Sequence, residues 1–318
     1  MKTLLKQILP PSVWNRLTKV KPFLARGFQD SLELLGYNVA RKNDYYSPLP
    51  VRSRLKTNLG RWYKPSALKG IDYDLQEMKN ELLNLLSRYS AEFAAIPGYE
   101  ELATTGYGPG YTKIDALTLY MMIRDLKPGR YIEVGSGLST YYCSIAAEKN
   151  ARDGHPLQII CIEPDPKERL KTIPGIQVVP KEVQDLEISF FQQLEENDVL
   201  FIDSSHILKI DGDVPFLFLE VLPALNAGAV VHIHDVPFPY NFPYPPELWI
   251  FGQTWPVFWN EAMVLQAFLC FNNKFKIIMS TPIIRYFDEP FLKNNIPIYE
   301  SLKQNPNTFS SIWLKKTS

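Results

Sequence analysis

From Arg130 to Asp235 the chain repeats one pattern: a short apolar strand, a helical stretch, then another strand. YIEV, LQIICIEP, IQVVP, DVLFID and AVVHIHD read as strands. LSTYYCSIAAEKN and VPFLFLEVLPAL read as helices, and PKERLKTI as a short one. Strands that alternate with helices build a parallel sheet covered on both faces. These strands are near-continuous apolar runs, as burial on both faces requires. The C-terminal part breaks the rhythm: a helix from Trp259 to Phe271, a strand FKIIMS, a long connection and a last strand SSIWLKK. Two late strands with no clear helix between them predict an antiparallel hairpin at one edge of the sheet. In such sheets ligands sit beyond the carboxyl ends of the strands, near the point where strand order reverses. The candidates are therefore the residues that close the strands: Glu133 to Gly137, Glu163, Asp203 to His206, and His234 with Asp235.

The N-terminal third reads differently. Short helical patterns are interrupted by Pro-rich breaks such as SPLPVRSR and WYKPSALKG. Asp74 to Phe93 is predicted as an amphipathic helix through Leu75, Met78, Leu82, Leu85 and Leu86. After the loop TTGYGPGY, Thr112 followed by Asp115 resembles a capping box, with a helix over Ile114 to Leu126. We expect a helical and irregular extension over residues 1–105 and a ligand-binding domain over 106–318. Residues 1–70 carry 14 Lys or Arg against three acids. Such a surplus is either a face for an acidic partner, a substrate or a membrane surface, or a solvated leader.

Over the whole chain 34 basic residues balance 34 acidic ones, so no overall field favours nucleic acid or anionic membrane. No apolar run reaches the ~18 residues of a membrane span. The start MKTLLKQILPPSVW lacks the apolar stretch and cleavage site of a signal peptide. Cys143, Cys161 and Cys270 are widely spaced and odd in number, which argues for buried reduced thiols in the cytoplasm rather than disulfides or a zinc site.

The turn in YIEVGSGLST narrows the ligand. Gly135 and Gly137 allow backbone approaches that a side chain forbids. The pattern G-x-G is shared by dinucleotide folds, but Thr140 replaces their third glycine. Glu133, two residues before the turn, would repel a pyrophosphate and suit a cation. Glu163 closes the next strand, where a carboxylate accepts both hydroxyls of a ribose. An acid, a glycine turn and a second acid suit a ligand with a sulfonium or ammonium at one end and a ribose at the other.

With these residues the chain resembles the class I S-adenosylmethionine-dependent methyltransferases over about residues 106–318. IEVGSGLST, VQDL, LFIDSSH, VVHIHDV and WNEAMVLQAFL in that order resemble more narrowly the methyltransferase domain 24 group, many of whose members are bacterial and act on small molecules or sugars. The resemblance implies a Rossmann-like, doubly wound α/β fold: a seven-stranded, mostly parallel sheet with a terminal antiparallel hairpin. It implies S-adenosylmethionine as cofactor. Glu133, Gly135, Ser136 and Gly137 would line its methionine half, and Glu163 would hold the ribose. Asp203 and Ser204 would flank it after the fourth strand. Gln184, in the KEVQD turn, would pass the adenine or be a solvated loop residue.

His206 lies three residues after Asp203, an offset similar to that of the base lysine in catechol-type O-methyltransferases. As an imidazole it suits a general base near neutral pH; otherwise it is a structural histidine capping the next loop. By the same likeness Asp203, His234 and Asp235 stand where those enzymes hold magnesium. An imidazole among them suits manganese, iron or zinc better. Without a metal, Asp203 and Asp235 would bond loop amides, and His234 would relay protons or touch substrate. His232 is expected to be buried structure and His155 a surface residue. The segment VPFPYNFPYPPELWIFGQTWPVFWNEA is too aromatic for an ordinary loop. Tyr240, Phe242, Tyr244 and Trp249 would form an acceptor wall or anchor the loop on the core. Asn260 and Glu261 would contact acceptor hydroxyls or simply start a helix. Tyr107 and Tyr111 are candidates for a cofactor lid.

The reading that follows is O-methylation of a small hydroxylated acceptor, a sugar, glycosylated metabolite or phenol, with His206 as base. Three alternatives stand beside it. A nucleic-acid methyltransferase would place an N/D-P-P-Y/F turn where this chain has DSSH. Thr140 and Glu133 argue against a nicotinamide-dependent oxidoreductase. A non-catalytic binding protein that keeps the fold needs none of the catalytic residues.

Overall fold

A computed structural model describes residues 25–42, 44–96, 98–104, 107, 110–299 and 309–318. The chain divides into two compact units that meet between Trp62 and Tyr63, whereas the sequence suggested a boundary at 105/106. Part of the basic leader, residues 1–24, lies outside the described residues. In the first unit α1 (Arg52–Thr57) and α2 (Leu59–Trp62) bury no side chain. Trp62 Nε1 donates to the Leu55 carbonyl at 2.8 Å.

The second unit opens with α3 (Leu75–Ala94). Asp74 caps it by accepting the Glu77 N–H at 2.9 Å, and Met78, Leu82, Leu85, Leu86, Tyr89 and Phe93 form its buried face. Next come α4 (Tyr99–Thr104) and α5 (Lys113–Leu126), the latter capped by Thr112 as its sequence predicts. Arg124 of α5 bonds Glu92 at 2.9 Å and Asp153 at 3.0 Å, tying α3 into the domain. Those bonds, and the apolar face of α3, explain why residues 63–105 belong to this unit.

The sheet strands are β1 (Arg130–Val134), β2 (Gln158–Ile162), β3 (Ile176–Val179), β4 (Val199–Ile202), β5 (Val230–Ile233), β6 (Phe275–Ser280) and β7 (Ile312–Lys316). Their order is β3-β2-β1-β4-β5-β7-β6. The first five are parallel, and β7 runs antiparallel to both β5 and β6. Strand order reverses between β1 and β4, so a crevice opens beyond Val134 and Ile202. β1 and β4 are continuous apolar segments buried on both faces, apart from Glu133. After β1, α6 (Leu138–Arg152) rises from the glycine turn and leads to β2. α7 (Asp213–Phe216) widens to a π-helix over Leu217–Val221 and ends at Leu222–Ala224.

The antiparallel pairing of β6 and β7 agrees with the sequence, but their connection does not. After α8 (Glu261–Leu269) and β6, it contains α9 (Thr281–Asn295), a helix absent from the sequence reading. Pro282 sits in the first turn, where its missing N–H costs nothing. Pro290 follows a break at Asp288, whose φ of −151° is non-helical, so no helical bond is lost there. PKERLKTI shortens to a single 3-10 turn, Leu170–Thr172. Cys143 and Cys161 are buried thiols, but Cys270 is only half-buried. Among the described residues no helix is long and apolar enough to cross a membrane.

Candidate active site

The glycine turn is built against β4. Gly135 has φ +77°, and a Cβ there would stand 2.1 Å from the Asp203 carbonyl oxygen. A Cβ on Gly137 would stand 2.7 Å from the Tyr107 carbonyl. Both positions therefore need glycine for close approach, and Gly135 for its left-handed backbone as well. The Ser136 N–H donates to Glu163 at 3.2 Å, and the Asp165 N–H donates to the other Glu163 oxygen at 3.1 Å. Each carboxylate oxygen keeps acceptor capacity toward the crevice. Ser136 Oγ is buried and has no partner among the described residues.

Glu133 does not face that crevice. Its carboxyl is fully buried and accepts from Ser139 Oγ and Thr140 Oγ1, each at 2.5 Å. Burial pushes its pKa up to about 7 despite those bonds. It anchors the first turn of α6, so the negative field at the crevice comes from Glu163 and Asp203. Thr140, which argues against a dinucleotide, is the residue that makes this anchor. Gln184 lies in the 3-10 turn Val183–Asp185, with Nε2 bonded to Glu182 at 2.5 Å and 3.4 Å from the Asp211 carbonyl.

Beyond β4 and β5 the acids and imidazoles converge. His206 is 6% exposed and has φ +59°, and Asp235 has φ +55°. Non-glycine residues in left-handed backbone cost of order 1–3 kcal/mol each and persist only where the surroundings hold them. Here α8 does the holding: the His206 carbonyl accepts the N–H groups of Asn260 and Glu261 at 3.0 and 3.2 Å. His206 Nδ1 meets Glu261 Oε2 at 2.7 Å, and its Nε2 lies 3.3 Å from Asp203 and 3.5 Å from Asp235. Trp259 packs on the ring, 4.4 Å between centroids. Burial disfavours charge on this imidazole, but bonds to Asp203 and Glu261 and the field of Asp235 hold its pKa well above the ordinary value.

His234 sits one layer deeper, fully buried. Its Nε2 lies 3.2 Å from Asp115 and 3.1 Å from Ser310 Oγ, and its Nδ1 lies 3.4 Å from Asp203. Asp115 also accepts from Thr112 at 2.7 Å and Ser311 at 2.7 Å. Burial would raise the Asp203 pKa, but His234 above all, and then His206, hold it well below the usual carboxylate range. Burial pushes the Asp235 carboxyl up, against the same imidazoles. One atom each from Asp203, His206 and Asp235 lie within 4.8 Å of one another. In that group His206 takes the place the sequence gave to His234, whose nitrogens are directed to Asp115, Ser310 and Asp203.

The other expected residues divide. Tyr240, Tyr244 and Trp249 line a cavity of about 280 Å³ that reaches Asp235. Asn260 does not line it: its side chain accepts the Leu208 N–H at 2.7 Å. Ser204 donates to Glu261 at 2.9 Å and accepts the His206 N–H at 3.1 Å, bracing the pair. His232 is buried, stacked 3.9 Å from Trp313, and His155 is exposed. Tyr111 packs under His234 at 4.8 Å and Tyr107 against Tyr141 at 5.4 Å. Residues 105, 106, 108 and 109 of the expected lid loop lie outside the described residues.

Sequence reasoning missed the role of Glu261 as the partner of His206. The one signal was an acid opening a helix, EAMVLQAFL, whose only other polar residue is Gln266. It also missed Asp115, which reads as an ordinary capping-box acid.

Residues 132–236 match a family described as a methyltransferase domain. An uncharacterized protein of Archaeoglobus fulgidus is 29% identical over 166 residues, 48% of this chain and 72% of that one. Among solved structures, the SAH-bound methyltransferase PaMTH1 of Podospora anserina shares 13% identity at a TM-score of 0.37, over 85% of this chain and 98% of that one. The O-methyltransferase TomG of Streptomyces achromogenes, in complex with SAM, shares 14% identity at a TM-score of 0.40, over 85% of this chain and all of that one.

Proposed function

We propose that this chain, whose residues 132–236 match a methyltransferase domain on a seven-stranded sheet, uses S-adenosylmethionine to methylate an oxygen of a small hydroxylated acceptor, with His206 as general base. The observation that carries this reading is the Glu261–His206 pair, which turns Nε2 toward the carboxylates closing β4 and β5.

The residues present fit the donor. The unpartnered Ser136 Oγ, the turn that excludes Cβ atoms and the open acceptor capacity of Glu163 together suit its polar groups and ribose. Gln184 stands at the turn after β3 for the adenine. S-adenosylmethionine supplies an electrophilic methyl group on a positively charged sulfur. The protein does the rest. Glu261 fixes the imidazole tautomer, Asp203 and Asp235 stabilise its cation, and His206 Nε2 receives the acceptor's hydroxyl proton. The aromatic wall keeps water from the reacting atoms.

The raised His206 pKa sets the pH dependence. A base works only when deprotonated, so kcat/KM of the metal-free enzyme should rise with pH through a limb above the ordinary imidazole range. The groups that face the ring are Asp203, Asp235, Glu261 and Trp259. Glu261→Gln removes one carboxylate, so the limb should move to lower pH while the rate falls about 10–100-fold. A limb that stays in place in this variant removes the pair from the mechanism.

A second reading rests on the same three groups. Asp203, His206 and Asp235 would hold a divalent cation, with Glu261 orienting the imidazole as carboxylates do for metal-bound histidines. Bound there, the cation would supply Lewis acidity to the acceptor hydroxyl, and His206 would be a ligand rather than the base. This reading expects turnover to vanish on chelation and return with manganese; turnover indifferent to chelator excludes it.

A further inference from the structure

The cavity beside Asp235 has an unusual wall. Its lining consists of aromatic rings, prolines, Ser310 and three charged residues, with no Leu, Ile, Val or Met. Tyr240 and Tyr244 stack 4.1 Å apart, and Trp249 lies 5.3 Å from Trp259, so flat rings face the space from two sides. At the far side α9 contributes Arg285 and Glu289, whose Nε and Oε1 are 3.7 Å apart. Glu289 is also paired with Lys293 at 3.3 Å, and at the near side Asp235 lies 3.5 Å from His206. The charges around the cavity are thus matched with one another, and an anionic acceptor would have to compete with Glu289 and Asp235 for their cations. A neutral polyol would meet planar donors and acceptors for its hydroxyls and ring faces for its C–H surface.

The ring surface does not stop at the cavity. Tyr240 meets Tyr286 edge-on at 6.2 Å, Tyr286 meets Phe287 at 5.0 Å, and Phe287 stacks on Tyr73 at 6.0 Å. Tyr286 and Phe287 are 46% and 49% exposed, far more than core aromatics need to be. They precede the break in α9 at Asp288, and Lys79 pins that residue at 2.6 Å. A continuous aromatic track therefore leaves the cavity and runs onto the surface of α9, held in place by a salt bridge.

On the premise of the O-methyl transfer proposed above, we infer that the acceptor is the terminal sugar of a neutral oligosaccharide. The sugar to be methylated occupies the cavity at Asp235, and the preceding units lie along Tyr286, Phe287 and Tyr73. The track explains rings that a free monosaccharide would never reach, and the cavity explains the pairing of aromatic faces with charged side chains.

The test uses the full chain, methyl-labelled S-adenosylmethionine and three acceptor sets. These are neutral oligosaccharides of one to four units covering the common hexose ends, the same glycans bearing carboxylate or sulfate, and simple phenols. Label should pass to neutral glycans, with KM falling about tenfold or more from one unit to three. In Phe287→Ala with Tyr73→Ala that dependence on length should flatten, with donor affinity unchanged. Transfer to phenols alone, to charged glycans in preference, or to no glycan at all while the donor binds overturns the inference and leaves the donor site intact. Failure to bind the donor overturns the underlying reading instead. A length dependence that survives in the double variant removes the track.

Discussion

His206→Ala should lower kcat by about 10²–10⁴-fold while the dissociation constant for S-adenosylmethionine changes little. The size follows from what is lost. Among the described residues His206 alone joins Asp203 to Glu261 through a ring that can take up the acceptor's proton. Stability complicates the reading, because Glu261 is 2% exposed and would keep only Ser204 as a side-chain donor. Removing one member of a buried pair costs about 3–5 kcal/mol. The variant should therefore be compared with His206→Ala combined with Glu261→Gln, where the stranded charge is gone. The double variant should recover most of the stability and none of the turnover. Recovery of turnover with stability would mean that His206 only holds the loop.

Gly135→Ala should be the most damaging glycine-to-alanine change among the described residues. Its φ of +77° costs an L-residue about 1–2 kcal/mol. The added Cβ would also stand 2.1 Å from the Asp203 carbonyl, which is backbone and cannot swing aside. The Gly135 N–H is bonded to Ile162 at 3.0 Å and the Asp203 N–H to Val134 at 2.9 Å, so relief requires β1 and β4 to part. We expect a loss of about 3 kcal/mol or more and a Tm lower by roughly 5–10 °C. Turnover should fall further than stability explains, since Asp203 would shift by about 1 Å, enough for about 10²-fold. Gly154→Ala is the control: φ is +88°, but nothing lies within 4 Å of its Cβ. It should cost only the backbone term. Equal losses at the two positions would show that close packing on Asp203 is not what Gly135 provides.

The parallel strands were legible because burial on both faces writes a near-continuous apolar run: β4 is wholly apolar, β2 is apolar from Ile159, and Glu133 and His232 are the polar interruptions inside β1 and β5. α9 was not legible, because Pro282 and Pro290 read as breaks. Only the cap at Ser280 and the non-helical Asp288 show that both positions tolerate proline. Strand ends singled out Asp203, His206, His234 and Asp235, and the structure brings these four side chains together. Depth was not legible. Spacing along β5 gives the face on which His234 lies but not that Asp115 and Ser310 draw its ring inward. Nor could spacing show that Glu261, 55 residues after His206, would bind its Nδ1. The same limit applied to Glu133, a carboxylate that the sequence aimed at the cofactor and the fold buries under Ser139 and Thr140.

The account depends on a crevice that takes a positively charged adenosine compound at Glu163 and the glycine turn. Equilibrium binding of S-adenosylmethionine to the full chain, with NADH as competitor, tests this most directly. One donor per chain, unaffected by NADH and weakened about tenfold or more by Glu163→Ala, is the predicted result. Tight NADH binding, with none of the sulfonium compound, would contradict it.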